Sequence, residues 1–490
     1  MTARALALGA KAPGLGLLGG LVLASLSAAG APAAAGAAPQ SGTRLLFAGD
    51  VLLSRQVPLE IASTGRSPFT EVAGLFGGRD LVLANLEGAV GAEEGCLPGK
   101  GPCFPIAPEL LALLPRAGLT ALGLANNHAR DLGQEGLEKT RERLVAEGLL
   151  ALDFENSPRF VRLGKQGTKE AVTVALLALS FVKGREGTVN DVPSVEVARK
   201  LRLARRLADL VVVFVHWGEE LLEWPSAAQR AAAEWLVASG ASLVVGHHPH
   251  VVQSPECVAG RPVFFSLGNL LFDQRYSSSK EGLLADCQVE GGAFACRGIP
   301  TETPLRSSFP RLASRPEPSF SAIEGCRVPL SRPFEVAGVT LRPVDRDDRL
   351  ALQGSRGGKV LFTTRPLRAL SVESGRLAGG EGEELLFTLE RHPSALDGED
   401  GVRPYVYAVG DAGLVARWRG SGLAWPLVDA RLLPGGRLLC ALHRGDSYLV
   451  PGPGAQELHS EVYRWNGFGF SSVDDGGAAA ACSAFWGLDR

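Results

Sequence analysis

LVVGHHPH, Leu243 to His250, is an apolar run that breaks at a glycine and then delivers three imidazoles. A run of four to six apolar residues ending in a glycine or polar break is the pattern of a strand buried on both faces, as in a parallel sheet. The same pattern recurs along the first half of the chain. LLFAGD ends at Asp50, LVLANLE runs through Asn85 to Glu87, LGLANNH ends at Asn127 and His128, and VVVFVHWG carries His216. Ligands of open α/β sheets bind beyond the carboxyl ends of the strands. Five strand ends therefore bring Asp, Glu, Asn and His to one sheet edge, and the expectation is a site for one or two metal ions.

Further strands are predicted near Val172 and Val263. Helical patterns lie between the strands at Gly136 to Leu150, Val195 to Leu207 and Ser226 to Ser239. Alternating strands and helices define an α/β layered fold. It is placed at 43–304, followed by a Pro/Ser/Arg-rich linker at 305–333. From 334 to 490 the pattern becomes alternating runs such as KVLFTTRPL and RPYVYAVG, divided by Gly/Asp turns, which reads as an all-β module. VARWRG (Val415 to Gly420) and VYRWNG (Val462 to Gly467) echo each other at roughly the ~40–50 residue period of a propeller blade. A propeller-like array and a β-sandwich both fit, and Trp418 and Trp465 read as core.

Residues 1–39 stand apart. Arg4 and Lys11 precede a short apolar run, Leu15 to Leu26, and the Ala/Gly/Pro stretch Ala28 to Ala38 offers A-x-A-like cleavage positions. This is a signal peptide and spacer for an exported protein, periplasmic, envelope-associated or secreted. An uncleaved N-terminal anchor would be its only contact with a membrane. Export makes disulfides available to the eight cysteines. Cys96 with Cys103, and Cys287 with Cys296, are the pairs that local loops bring near. None of the eight has zinc-ribbon spacing. A formal net charge of −2 speaks against a nucleic-acid binder that works by neutralising phosphates.

Of eight histidines, His128, His216, His247, His248 and His250 all follow apolar runs. An H-x-H pair such as His248 and His250 can direct two imidazoles to one side of an extended segment. Imidazole with carboxylate and amide oxygen suits Mn, Zn or Fe better than Ca. Asp50 and Glu87 bring the negative charge that two divalent ions need. Taken singly, Asp50 after Gly49 reads equally as a turn residue, and Glu87 as a helix start.

GDVLLSR, ANLEGAV, ANNHARDLGQEGL, HWGEE, VVGHHPHVVQ and FFSLGNLLFD, in this order, resemble the CapA family, named for poly-γ-glutamate capsule synthesis and related to the calcineurin-like metallophosphoesterases. The resemblance covers about 44–304 and leaves out the β-rich remainder. It implies a metallophosphoesterase-like αββα sandwich with a dinuclear site. Asp50 would be the first metal-binding Asp, and Asn127, His216, His248 and His250 further ligands. His128 would face the leaving group as the catalytic acid. Glu87 stands where a bridging Asp is usual, and Asn126 replaces the Gly of a Gly-Asn-His motif. His247, Asn126, Asn269 and Asp273 would brace the ligands, and Arg55 would either hold an anionic substrate or form a surface salt bridge. The implied activity is metal-dependent hydrolysis or processing of an anionic envelope polymer or phosphoester. The alternative is a non-catalytic envelope scaffold with a structural or vestigial metal site, whose β module docks to a polymer or partner.

N-terminal sequencing of the native protein is expected to place its first residue between Ala29 and Pro39. Recovery of Met1 from a soluble cytoplasmic fraction would refute the export reading.

Overall fold

The computed structural model describes residues 42–488 except Lys100, 165–170, 186–193, 315–325, 331–332, 347–348, 378–381, 394–399, 421–422, 424 and 446–456. The expected signal peptide lies outside the described residues. Two sheets dominate the first part of the chain. The nine-stranded sheet is built on β1 (Arg44–Val51), β2 (Leu81–Leu86), β3 (Ala121–Gly123) and β4 (Leu150–Leu152), which are parallel neighbours in that order. On the other side of β1 the hairpin of Glu281–Glu290 and Ala293–Glu302 adds antiparallel strands. The six-stranded sheet has a parallel centre of β5 (Val172–Ser180), β6 (Leu210–His216), β7 (Leu243–His247) and Arg261–Phe264, with antiparallel edges at Arg159–Leu163 and Glu256–Val258.

The period-two geometry of a strand explains why these runs are apolar throughout. Along β6, Leu210, Val212 and Phe214 meet Phe47, Leu83 and Val245 in a layer between the two sheets. Val211, Val213 and Val215 point the other way, onto a cluster with Leu201, Leu207 and Leu236. Those leucines belong to α2 (Val195–Leu207) and α3 (Ala227–Ala238). The outer face of the nine-stranded sheet buries Leu46, Val82 and Leu122 against Val57 and against Leu137 and Leu144 of α1 (Gly133–Ala146). The order is therefore helices, sheet, sheet, helices.

Local signals set the helix ends. Ser194 caps α2 by accepting from Val197 N, and Ser226 with Gln229 forms a capping box on α3. α1 stops at Ala146, short of the expected Leu150. Gly148 takes a left-handed φ of 78°, and the apolar residues after it form β4 instead.

The second part is built of three successive four-stranded antiparallel meanders: Phe334–Val336 to Lys359–Thr363, Ala369–Gly375 to Gly413–Arg419, and Leu427–Leu432 to Phe470–Ser472. The Trp echo does not mark equivalent strands. Trp418 lies on the fourth strand of the second meander and Trp465 on the third strand of the last, and their rings are 6.3 Å apart in a shared core. The chain then forms α4 (Gly476–Trp486), which the all-β reading did not include. GGAAAACSAFW has no polar–apolar period, so alanine's intrinsic propensity and the end signals, Asp475 as N-cap and Gly487 in a left-handed C-cap, mark it as helix.

Four disulfides join Cys96–Cys103, Cys257–Cys326, Cys287–Cys296 and Cys440–Cys482. Both expected pairs form, and the two long-range ones join segments that nothing local in the sequence brings together. Four disulfides point to an extracytoplasmic protein. No helix among the described residues is long and apolar enough to cross a membrane.

Cys440–Cys482 closes 42 residues and holds α4 on the last meander. The paired change Cys440→Ser with Cys482→Ser is expected to cost about 2–4 kcal/mol of stability, read as a lower urea midpoint. An unchanged midpoint would mean that the bond constrains nothing beyond what packing already does.

Candidate metal centre

The strand register lines up the polar residues. Asp50 pairs across the nine-stranded sheet with Asn85 on β2 and with Asn269 on the short parallel strand Asn269–Leu271. His216 and His247 are partners at the ends of β6 and β7. Asp50 is not a turn residue; it lies within β1. A Cβ on Gly49 would come within 1.8 Å of Gly268 O, so only glycine allows the two segments to pass.

Asp50 and Glu87 are both 0% exposed. Asp50 Oδ1 accepts from Asn85 Nδ2 at 2.7 Å, and its Oδ2 is 3.2 Å from His250 Nδ1. Glu87 has no hydrogen bond at either oxygen; His128 Nε2 and His250 Nε2 each lie 3.7 Å from its Oε1. Asp50, Glu87 and His250 bring one ligand atom each within 4.8 Å of one another, and so do Glu220, His248 and His250. His216 Nε2 is 2.7 Å from Asn127 Oδ1, and the His216 and His248 rings are 4.6 Å apart.

The H-x-H pair does not lie on an extended segment. His248 and His250 have φ of 101° and 59°, an uncommon conformation for residues other than glycine. The bent backbone turns His248 toward His216 and His250 toward the carboxylates. Strain at two adjacent ligand candidates is the kind of cost that persists where a site requires it.

Burial pushes the His248 imidazole down to about 3 and the His247 imidazole to about 4, and lowers His216 well below its usual value. All three are thus held neutral, the form that binds metal. Burial, with Asp50 nearby, raises the Glu87 carboxyl to about 7. Burial opposes protonation of His250 too, but the Glu87 and Asp50 carboxylates outweigh it and raise it to about 9. His216, His247 and His248 each leave Nδ1 without a partner. Orphaned buried carboxylate and imidazole atoms, with Asp50, Glu87 and His250 and with Glu220, His248 and His250 each converging within 4.8 Å, are the donor types of a divalent transition-type ion. These residues fit such a group.

A profile described as bacterial capsule synthesis protein PGA_cap matches residues 44–274. The chain is 30% identical over 256 residues to the PGA biosynthesis protein CapA of Bacillus subtilis (strain 168), an alignment spanning 50% of this chain and 67% of that protein. The chain belongs to the CapA family. It is also 29% identical over 299 residues to the capsule biosynthesis protein CapA of Bacillus anthracis, covering 58% of this chain and 71% of the relative.

Within this CapA-family chain, the structure brings together Asp50, Glu87, His248 and His250, with Asn127 and His216 joined to each other beside them. Asn269 braces His250, its Oδ1 lying 2.9 Å from Nδ1. Asn126 bonds Asn85 and Leu86 O, and receives the backbone N–H of His128. His247 lies against Phe214, with ring centroids 4.3 Å apart. Asp273 does not reach the cluster; it pairs with Arg55 at 2.9 Å and accepts from Gln56 N. Arg55 therefore forms the salt-bridge alternative, half-exposed at the rim, with its guanidinium 5.5 Å from the Phe104 ring centroid.

Sequence reasoning gave no role to four residues. Asn85 links Asp50 to Asn126. Asp131 holds His128 Nδ1 at 2.9 Å and also accepts from Phe104 N and Arg185 Nε. Glu220 completes the second cluster. Arg185 further donates to carbonyls of Leu97, Gly101 and Pro102, which lie in the Cys96–Cys103 loop. Asn85, Asp131 and Glu220 all lie inside motifs quoted above, so their signal was position relative to a ligand. Arg185 had no local signal.

Glu87→Gln keeps the shape and removes the buried charge. With chelator present it is expected to raise the thermal midpoint, because a buried charge that His250 only partly offsets is gone, while lowering affinity for Mn or Zn by about tenfold or more. Elemental analysis and melting with and without chelator read the two effects. Unchanged metal content would remove Glu87 from the ligand set.

Proposed function

We propose that this chain is an exported, metal-dependent hydrolase or processing factor for an anionic cell-envelope polymer of the poly-γ-glutamate type, or for a phosphoester. The observation that carries this reading is the Glu87 carboxylate, fully buried and without a hydrogen bond, flanked by Asp50, His250 and His128. A purely structural polar cluster would satisfy its own acceptors. The ligands we assign are Asp50, Glu87, Asn127, His216, His248 and His250, with Glu220 able to join His248 and His250. The two face-to-face sheets with outer helices support the layering of calcineurin-like metallophosphoesterases for 43–304. Three consecutive meanders support a propeller-like arrangement for 334–490 over two facing sheets.

When bound, one or two divalent ions (Mn, Zn or Fe) supply Lewis acidity that activates water and offsets charge at the attacked centre. The chain's own residues do the rest. Asp131, fixed by Phe104 N–H and Arg185, holds His128 by Nδ1 and leaves Nε2 directed toward Glu87. Phe104, its ring 4.1 Å from that of His128, closes the other side. His128 is thereby oriented to give a proton from Nε2 to a leaving oxygen. Beyond Asp273 lies a cavity of about 730 Å3 that is also lined by Arg275, Lys280 and Arg306 with Glu60, room and a small net positive charge for an anionic substrate.

His128→Ala is expected to retain metal and slow turnover of a phosphodiester or of poly-γ-glutamate by about 10²–10⁴-fold, with a smaller loss for substrates with acidic leaving groups. Asp131→Asn should show a weaker version of the same pattern. His216→Ala should lose metal and activity together. If metal-loaded protein turns over neither substrate, the non-catalytic scaffold becomes the better reading.

A further inference from the structure

The N-terminal edge of the six-stranded sheet, opposite the metal centre, carries an unassigned basic cavity. Strand β6 runs from Leu210 at that edge to His216 at the centre, a span of about 20 Å at ~3.3 Å per residue. The cavity, of about 650 Å3, lies where the last turn of α2 meets the second and third meanders. Arg202, Arg205 and Arg206 from α2 and Arg431 from Leu427–Leu432 line it, with Glu373 as the acidic residue of its wall. With Arg202 paired to Asp429, Arg205, Arg206 and Arg431 against Glu373 leave two formal positive charges.

Only Arg202 is neutralised directly, by Asp429. Among the described residues, Arg205, Arg206 and Arg431 have no carboxylate within ion-pair distance. Arg206 donates to Ser374 Oγ at 3.0 Å and lies 4.0 Å from the Phe334 ring centroid; Arg431 stacks 3.8 Å from that of Phe485. These contacts orient two guanidinium planes without satisfying their charge. The negative end of the helix dipole accounts for Arg205 and Arg206 in its last turn, but Arg431 comes from a strand of another sheet. A second observation comes from Ser371 in the same lining. It is 2% exposed, and its hydroxyl has no hydrogen-bond partner. A buried hydroxyl without a partner is uncommon, and here it adjoins like charges that repel one another.

We propose that this cavity binds an oxyanion-bearing ligand with at least two negative charges. Guanidinium forks pair bidentately with carboxylate and phosphate alike, so both groups share the chemistry. The cavity is larger than one such group and within the range of sites that take small molecules or a short polymer segment. The site is separate from the metal centre and does not depend on its chemistry.

Inorganic phosphate and tricarballylate, titrated calorimetrically into the full disulfide-bonded chain at low salt, test this. Wild-type protein is expected to bind at least one of them, more weakly as salt rises. Arg205→Gln with Arg431→Gln should weaken that binding about tenfold or more, and Arg431→Lys should weaken it less. Preference for phosphate assigns a phosphate-bearing ligand, preference for tricarballylate a polycarboxylate, and equal binding a site selective for charge alone. Should the double variant fail to fold, the exposed Arg205→Gln alone carries the test. Binding equal to wild type in a folded variant, or no wild-type binding of either probe at millimolar concentration, overturns the proposal.

Discussion

An ionised carboxylate cannot stay in a dry interior without a counter-charge, and Glu87 is closed off from water at the end of a strand whose every residue is buried. Much of the first part of the structure answers to that constraint. Two sheets packed face to face leave their strand ends as the places where polar side chains can converge without breaking the apolar layer. β1 and the end of β2 contribute the carboxylates; the turn after β3 contributes His128, the last residues of β6 and β7 are His216 and His247, and the turn after β7 adds His248 and His250. Burial of both carboxylates creates a local negative potential, strong enough to reverse the effect of burial on His250. The other three imidazoles, on the six-stranded side, are left neutral.

The site is held by a continuous hydrogen-bond path. It runs from Asp50 to Asn85, from Asn85 to Asn126, and from Asn126 to the backbone of His128. From the His128 ring it continues to Asp131 and then to Arg185, which gathers three carbonyls of the loop stapled by Cys96–Cys103. The disulfide loop thus stands behind the imidazole face. Precision of this kind comes from partners that fix the rotamer of each site residue rather than from the ligands alone. It also explains why Phe104, just after Cys103, can both stack on His128 and donate its N–H to Asp131.

The parallel strands and their polar ends were legible because each strand is buried on both faces and reads as an unbroken apolar run. Asp50, Glu87 and the five histidines were legible because they terminate those runs. Asp131 and Glu220 were not, since an acid three residues after His128 or four after His216 looks like any solvated loop residue until the turn is known. The backbone of His248-Pro-His250 was misjudged for a related reason. Sequence alternation assumes an extended chain, whereas both histidines adopt positive φ to serve different neighbours. Cys257–Cys326 and Cys440–Cys482 join segments that meet only after the chain has folded.

The basic face of α2 shows most clearly how tertiary packing gives meaning to a pattern. VEVARKLRLARRL reads as an amphipathic helix whose arginines face water. Its leucines do meet β5 and β6, but they share that cluster with Val372 and Leu386 of the second meander. Asp429 of the third meander is fully buried between Arg199 and Arg202. Losing both arginines would strand that carboxylate, a cost of several kcal/mol, so the two charges are fixed by what lies on top of them. Arg205 and Arg206, one turn further on, pass the edge of the covering sheets, where Glu373 is near but, among the described residues, no carboxylate comes within ion-pair distance of them. The same helix therefore uses its first arginines as a clamp and leaves its last ones uncompensated beside Arg431, which is why the positive charge collects at that edge rather than spreading along the helix.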